Sequence, residues 1–117
     1  MSYQNLKVYQ RAHAFGVACH ELSLSLPKFE LFESGSQLRR ASKSVSANIV
    51  EGYGRREYTN EYHRFLVIAR ASNDETHEWL TYLHDCHTKQ RNLIDPLLAE
   101  NEEIGRMLTQ FMRTVPH

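Results

Sequence analysis

Six basic residues, Arg39, Arg40, Lys43, Arg55, Arg56 and Arg64, fall between positions 39 and 64 of a 117-residue chain. Guanidinium and ammonium groups gathered this way suit phosphate, which arginine grips through paired, charge-assisted hydrogen bonds. Arg39 and Lys43 stand one helical turn apart, and Arg55 and Arg56 follow directly on Gly52 and Gly54. Tyr53 and Tyr58 interleave with them, and tyrosine rings stack on nucleic-acid bases. The same residues also fit a solvated helical face whose cations pair with Glu51, Glu57 and Glu61. Glu51 sits in the last turn of a predicted helix, where the macrodipole disfavours a carboxylate by ~0.3–1 kcal/mol. It is therefore expected to find a cationic partner in Arg55 or Arg64, as a structural ion pair.

Other chemistries find less support. Seven histidines invite a metal site, and His84/His87 and Asp74/His77 each share a helical face. Di-iron bundles, however, build their sites from Glu-x-x-His motifs, and none occurs here. Cys19-His20 and Cys86-His87 place a thiol beside an imidazole, but adjacent helical residues diverge by about 100° and do not face each other. No phosphate-binding glycine loop opens onto a helix. Neither an enzyme nor a metal or cofactor is expected.

These residues need helices to position them. The first is predicted from Leu6 to Leu26, with Val8, Ala12, Phe15, Cys19, Leu22 and Leu26 on one stripe and Pro27 as the stop. Residues 27–33 connect it to a second helix from Ser34 to about Glu51, where Ser34 and Gln37 have capping-box spacing. Leu38, Ala41, Val45 and Ile49 form its apolar face, and Gly52 and Gly54 are expected to supply the open or left-handed backbone of a helix end. A third helix is predicted from Thr59 to His87 on the stripe Tyr62, Phe65, Ala69, Ser72, Thr76, Trp79, Leu83 and Cys86. That stripe puts Trp79 in the core or at a subunit interface, with its indole N–H bonded or at the edge. Residues 88–94 read as a loop, and Asp95-Pro96 as the start of a fourth helix with Leu97, Ile104, Leu108, Phe111 and Val115 inward. The expectation is an all-α, antiparallel up-down-up-down four-helix bundle, one domain over residues 1–117.

Composition agrees with one domain large enough for a real core. Both cysteines fall on predicted apolar stripes, which points to buried free thiols rather than a disulfide framework. The polar N-terminus and the lack of any apolar run near 20 residues predict a soluble cytoplasmic protein with no membrane contact. Net charge is zero, but residues 1–70 carry +4 and residues 71–117 carry −4. Such asymmetry places a basic region on one part of the fold, or lets unlike ends meet in an oligomer.

The segments LKVYQRAH (6–13), QLRRASKSVSANIVEGYGRR (37–56), EYHRFLVIARAS (61–72) and EEIGRML (102–108) carry a resemblance. Together they resemble the four-helix-bundle proteins encoded within intervening sequences of bacterial 23S ribosomal RNA genes. Ser46 stands where that family commonly has proline. The resemblance implies a bundle without established enzymatic activity, similar in fold to the accessory protein of diversity-generating retroelements, a pentamer that binds reverse transcriptase and nucleic acid. A homopentamer is expected accordingly, and Tyr9, Leu24, Leu66, Ile68, Met107 and Met112 remain as apolar residues outside the predicted core stripes. Two functional readings follow. One is an RNA- or DNA-binding accessory module using Arg39, Arg40, Lys43, Arg55, Arg56 and Arg64. The other is an oligomeric scaffold for a protein partner such as a reverse transcriptase, its arginines held in structural ion pairs.

Overall fold

Four amphipathic stretches, each with one apolar stripe, satisfy one another when packed side by side. In the computed structural model, which describes residues 2–116, the helices are α1 (Lys7–Leu24), α2 (Ser34–Gly54), α3 (Thr59–Cys86) and α4 (Arg91–Arg113). Single 3₁₀ turns at Tyr3–Asn5, Lys28–Leu31 and Thr88–Gln90 complete the order. Helix α2 packs on α1 and α3, and α4 closes the bundle against α3 and α1. The result is an antiparallel up-down-up-down bundle of 46 × 23 × 20 Å. Among the described residues, no helix is long and apolar enough to cross a membrane.

The core runs the length of the bundle through Phe15, Leu38, Ile49, Leu66, Leu80 and Ile104, all at most 2% exposed. The α1 and α2 stripes are as expected, from Val8 to Leu26 and from Leu38 to Ile49. On α3 the buried set is Tyr62, Leu66, Ala69, Asn73, Thr76, Leu80 and Leu83. Every second expected position is displaced by one residue, so Phe65, Ser72 and Trp79 are half-buried flanks. The helix sits between α2 and α4: Ser72 meets Ser44 of α2, and Asn73 meets Asn101 of α4. Cys86 is exposed rather than buried, while Cys19 is fully enclosed. Leu66 and Met112, left over in the sequence reading, are core residues. On α4, Leu97 and Phe111 are half-buried flanks, and Ile94 and Met112 take the inward places.

Both ends of α2 differ from expectation. No Ser34–Gln37 capping box forms, because Ser34 is already inside the helix. Glu30 supplies the cap instead: its Oε1 accepts from the Ser34 N–H at 3.0 Å. Its Oε2 lies 2.6 Å from His87 Nε2, with the two side chains 5% and 10% exposed. One carboxylate thus joins the α1–α2 connection, the start of α2 and the end of α3. At the other end α2 continues to Gly54, and no described residue has positive φ. Gly52 serves packing: a Cβ there would lie 3.1 Å from Phe65 Cβ and 3.3 Å from the Tyr62 carbonyl oxygen. Helix α4 begins a turn before Asp95-Pro96, so Pro96 lies inside it. The Asn92 carbonyl that Pro96 cannot serve belongs to an exposed residue, so the missing donor does not leave it enclosed in the core.

Asn73 and Asn101 face each other in the core, each 2% exposed. Asn73 Nδ2 donates to the Asn101 carbonyl at 2.9 Å, and Asn101 Nδ2 donates to the Asn73 carbonyl at 2.9 Å. A reciprocal polar pair amid apolar residues fixes the register of α3 against α4, since any slip buries both amides unpaired.

Candidate nucleic-acid interface

The close approach of α2 and α3 at Gly52 brings three arginines to one end of the bundle. Arg55 and Arg56 follow the end of α2, and Thr59 restarts the chain so that Arg64 returns across the same end. Arg55 and Arg64 share a ring: their guanidinium carbons lie 4.9 Å and 4.6 Å from the Phe65 centroid. Arg56 lies 4.2 Å over the Tyr53 ring and donates from Nη1 to the Tyr53 carbonyl at 2.9 Å. Tyr53 meets Tyr62 edge-on at 6.3 Å, and burial pushes the Tyr62 phenol above its ordinary pKa. Tyr58, 69% exposed, stands in the same turn.

The carboxylates of this end hold the arginines loosely. Arg55 Nε donates to Glu51 Oε2 at 3.1 Å, and Arg64 turns to Glu61 at 3.1 Å. All four side chains are about half exposed, and ion pairs of that kind are worth ~0–1 kcal/mol. The aromatic faces hold the guanidinium planes in place beside these weak pairs.

The three basic residues nearer the start of α2 have other surroundings. Arg39 is half-buried and donates to Ser23 Oγ at 2.9 Å and to the Leu31 carbonyl at 2.7 Å, tying α2 to α1 and its connection. Arg40 is exposed and lines a shallow groove toward α3 with Ser72 and Glu75. Lys43 faces α1, its Nζ 3.0 Å from His20 Nδ1. Sixteen residues separate Arg39 from Arg55, about 24 Å along a helix. The six therefore form two groups rather than one patch.

A third basic group was missed in the sequence. Arg70 on α3 and Arg106 and Arg113 on α4 line one groove of about 550 Å³ whose floor is the Asn73–Asn101 pair. Spacing carried a signal: Arg70, Asp74 and His77 repeat at helical steps, as do Arg106, Gln110 and Arg113. The acidic balance of residues 71–117 hid it. Among the described residues, no three His, Cys, Asp or Glu side chains are grouped to hold a metal ion.

The match to a protein-family model described as 23S rRNA-intervening sequence protein spans residues 4–110. A solved structure from Bacteroides thetaiotaomicron, a protein of unknown function from the S23 ribosomal protein family, superposes with a TM-score of 0.78. It shares 24% identity over 90% of this chain and 97% of its own. A search of curated proteins returns no match. At that identity the solved structure speaks for the fold alone, an all-helical bundle. The family match extends over nearly the whole chain, and the protein belongs to the 23S rRNA-intervening sequence protein family.

Proposed function

We propose that this protein is a non-catalytic, homo-oligomeric accessory module that contacts RNA or DNA through the end of the bundle formed by α2, the α2–α3 turn and the start of α3. The observation that carries the reading is the arrangement of Arg55, Arg56 and Arg64 on the Phe65 and Tyr53 rings, with Tyr58 exposed beside them. Arg40 and Lys43 form a separate basic group nearer the start of α2, where Arg39 ties that helix to α1 and its connection. Assembly as a pentamer is supported by the family resemblance and by apolar side chains exposed on several helices, among them Val17, Leu24, Val67 and Leu93. Repetition of one weak basic site around a ring raises the total affinity through multivalency.

The test is retention of a single-stranded RNA as a function of salt. Replacing Arg55, Arg56 and Arg64 together by glutamine should weaken binding and flatten the salt slope by about 2, since each neutralised phosphate contributes ~0.7 on single strands. An unchanged slope refutes the site. A single-chain mass by light scattering refutes the ring.

One observation favours the second reading, a scaffold for a protein partner such as a reverse transcriptase. Phe32 is 85% exposed and Phe29 54% exposed at the α1–α2 connection, far from the arginine turn along α2. Large bare aromatics next to each other suit a protein contact better than a phosphate backbone. A five-chain mass with no salt-dependent RNA retention would leave this reading in place of the first.

A further inference from the structure

The chain has ten arginines, and their partners single out one groove. Arg11, Arg39, Arg55, Arg56, Arg64, Arg91 and Arg106 each donate to a carboxylate, carbonyl or hydroxyl. Among the described residues Arg40, Arg70 and Arg113 have no such partner. Two of these three, Arg70 and Arg113, line the groove between α3 and α4, and Arg106 joins them there. Acidic residues lie on the side of the same groove away from Arg113, where among the described residues Asp74 has no hydrogen-bond or ion-pair partner and Glu102 stands 3.8 Å from His77 Nε2. Arg70 and His77 are two turns apart, about 10 Å along α3. Arg106 is paired with Glu103 at 2.7 Å, so Arg70 and Arg113 are the cations that the groove leaves unpaired among the described residues.

Gly105 keeps the groove open. A Cβ at this position would already lie 3.4 Å from Asn73 Nδ2, and a longer side chain would extend into the space between the helices. The volume, about 550 Å³, is within the ~300–1,000 Å³ usual for small-molecule sites and far larger than one inorganic anion needs. From this polarity we infer that the groove binds a nucleoside monophosphate whose base carries an amino group. The phosphate sits among Arg70, Arg106 and Arg113, where guanidinium forks match its oxygens. The base lies toward Asp74 and Glu102, which accept hydrogen bonds from an exocyclic amine as carboxylates do from cytosine N4. Whether the nucleotide is free or the 5′-phosphorylated end of an RNA strand, the recognised chemistry is the same. None of these residues belongs to the α2–α3 turn, so the inference stands apart from the RNA-binding reading above.

The probes are cytidine 5′-monophosphate (CMP), uridine 5′-monophosphate (UMP), inorganic phosphate and a short RNA with a 5′-terminal phosphorylated cytidine, titrated into the full chain by calorimetry and amide-resolved NMR. CMP should bind saturably and move the amide signals of Arg70, Gly105 and Arg106. UMP, which has no amino group, should bind about tenfold more weakly, and inorganic phosphate more weakly still. Replacing Arg70 and Arg113 with glutamine should cost at least about tenfold in CMP affinity, because each removes a hydrogen bond to a charged group. Gly105→Leu, which fills the groove, should abolish binding while leaving the helical circular dichroism intact. Lys89→Gln, outside the groove, should change nothing. RNA shifting the same amides as CMP identifies a strand end as the ligand, and RNA leaving them unmoved identifies the free nucleotide. No saturable CMP binding, equal affinities for CMP and UMP, or CMP binding indifferent to the arginine replacements would overturn the proposal. Loss of CMP binding would leave the salt-dependent retention of RNA by the α2–α3 turn unaffected, so the two failures are distinguishable.

Discussion

Glu30→Ala should be among the most damaging single substitutions in the protein, although it removes an acid from a connecting segment. The carboxylate is enclosed, and its two oxygens serve the Ser34 N–H at 3.0 Å and His87 Nε2 at 2.6 Å. Truncation orphans both, in a place where water cannot readily reach them. A buried polar group left without a partner costs about 1–3 kcal/mol, so the two together give roughly 2–6 kcal/mol. A domain of 117 residues has a total stability of roughly 6–17 kcal/mol, so the loss is a large fraction of it. At ~2.1 cal/mol/K per residue, 1 kcal/mol corresponds to about 4 °C, and Tm should fall by about 8 °C or more. The assay is urea unfolding followed by circular dichroism at fixed protein concentration, because assembly would otherwise shift the midpoint. Glu30→Gln keeps an acceptor for Ser34 and should retain much of the stability. A double-mutant cycle with His87→Ala isolates the coupling between the α1–α2 connection and α3. A loss below about 1 kcal/mol for Glu30→Ala, or no coupling to His87, would refute the assignment of this carboxylate as the cap and clasp.

Three further outcomes follow from packing. Gly35→Ala drives a Cβ into the Glu30 backbone carbonyl and should cost at least about 1–3 kcal/mol, whereas Gly54→Ala meets nothing within 4 Å and should be neutral or stabilising; equal effects in urea would contradict this. Leu80→Ala should cost about 2–5 kcal/mol and exceed the cost of Trp79→Ala, because Leu80 is 0% exposed while the Trp79 indole is half-buried and donates to Glu75 at 3.0 Å. Burial pushes the Cys19 thiol up to about 12, with the Ser42 hydroxyl opposing in part. A thiol reagent at pH 8 should therefore count one cysteine in the folded chain, the exposed Cys86, and two in urea. Because the folded pKa is raised, the Cys19 contribution to stability is intact below the ordinary value of 9.0 and is lost as pH rises toward 12. Two reactive thiols in the native protein would overturn the placement.

Local sequence determined the helices and most of the stripes. The regular return of Val8, Ala12, Phe15 and Cys19, or of Leu38, Val45 and Ile49, is a property of one segment, and each such face must be buried somewhere. Tyr62, Ala69, Thr76 and Leu83 were legible on α3 for the same reason. The alternate members of that stripe were not. Phe65 and Trp79 are more apolar choices than Asn73, and only Asn101 on α4, opposite it, gives the Asn73 amide its partners and so a place inside. The role of Glu30 was equally out of reach: its cap on Ser34 is local, but the His87 contact that turns the carboxylate into a clasp comes from 57 positions away. The basic residues divide along the same line. Their charge was plain in the chain, but Arg39 becomes a tie to Ser23 and Leu31 only once α1 lies against α2. Arg70 and Arg113 become one site only because α3 and α4 run antiparallel around the same pair of amides. A helical face is set by spacing within a segment, whereas a side chain's partner is set by which segments meet, and that was decided by the tertiary structure.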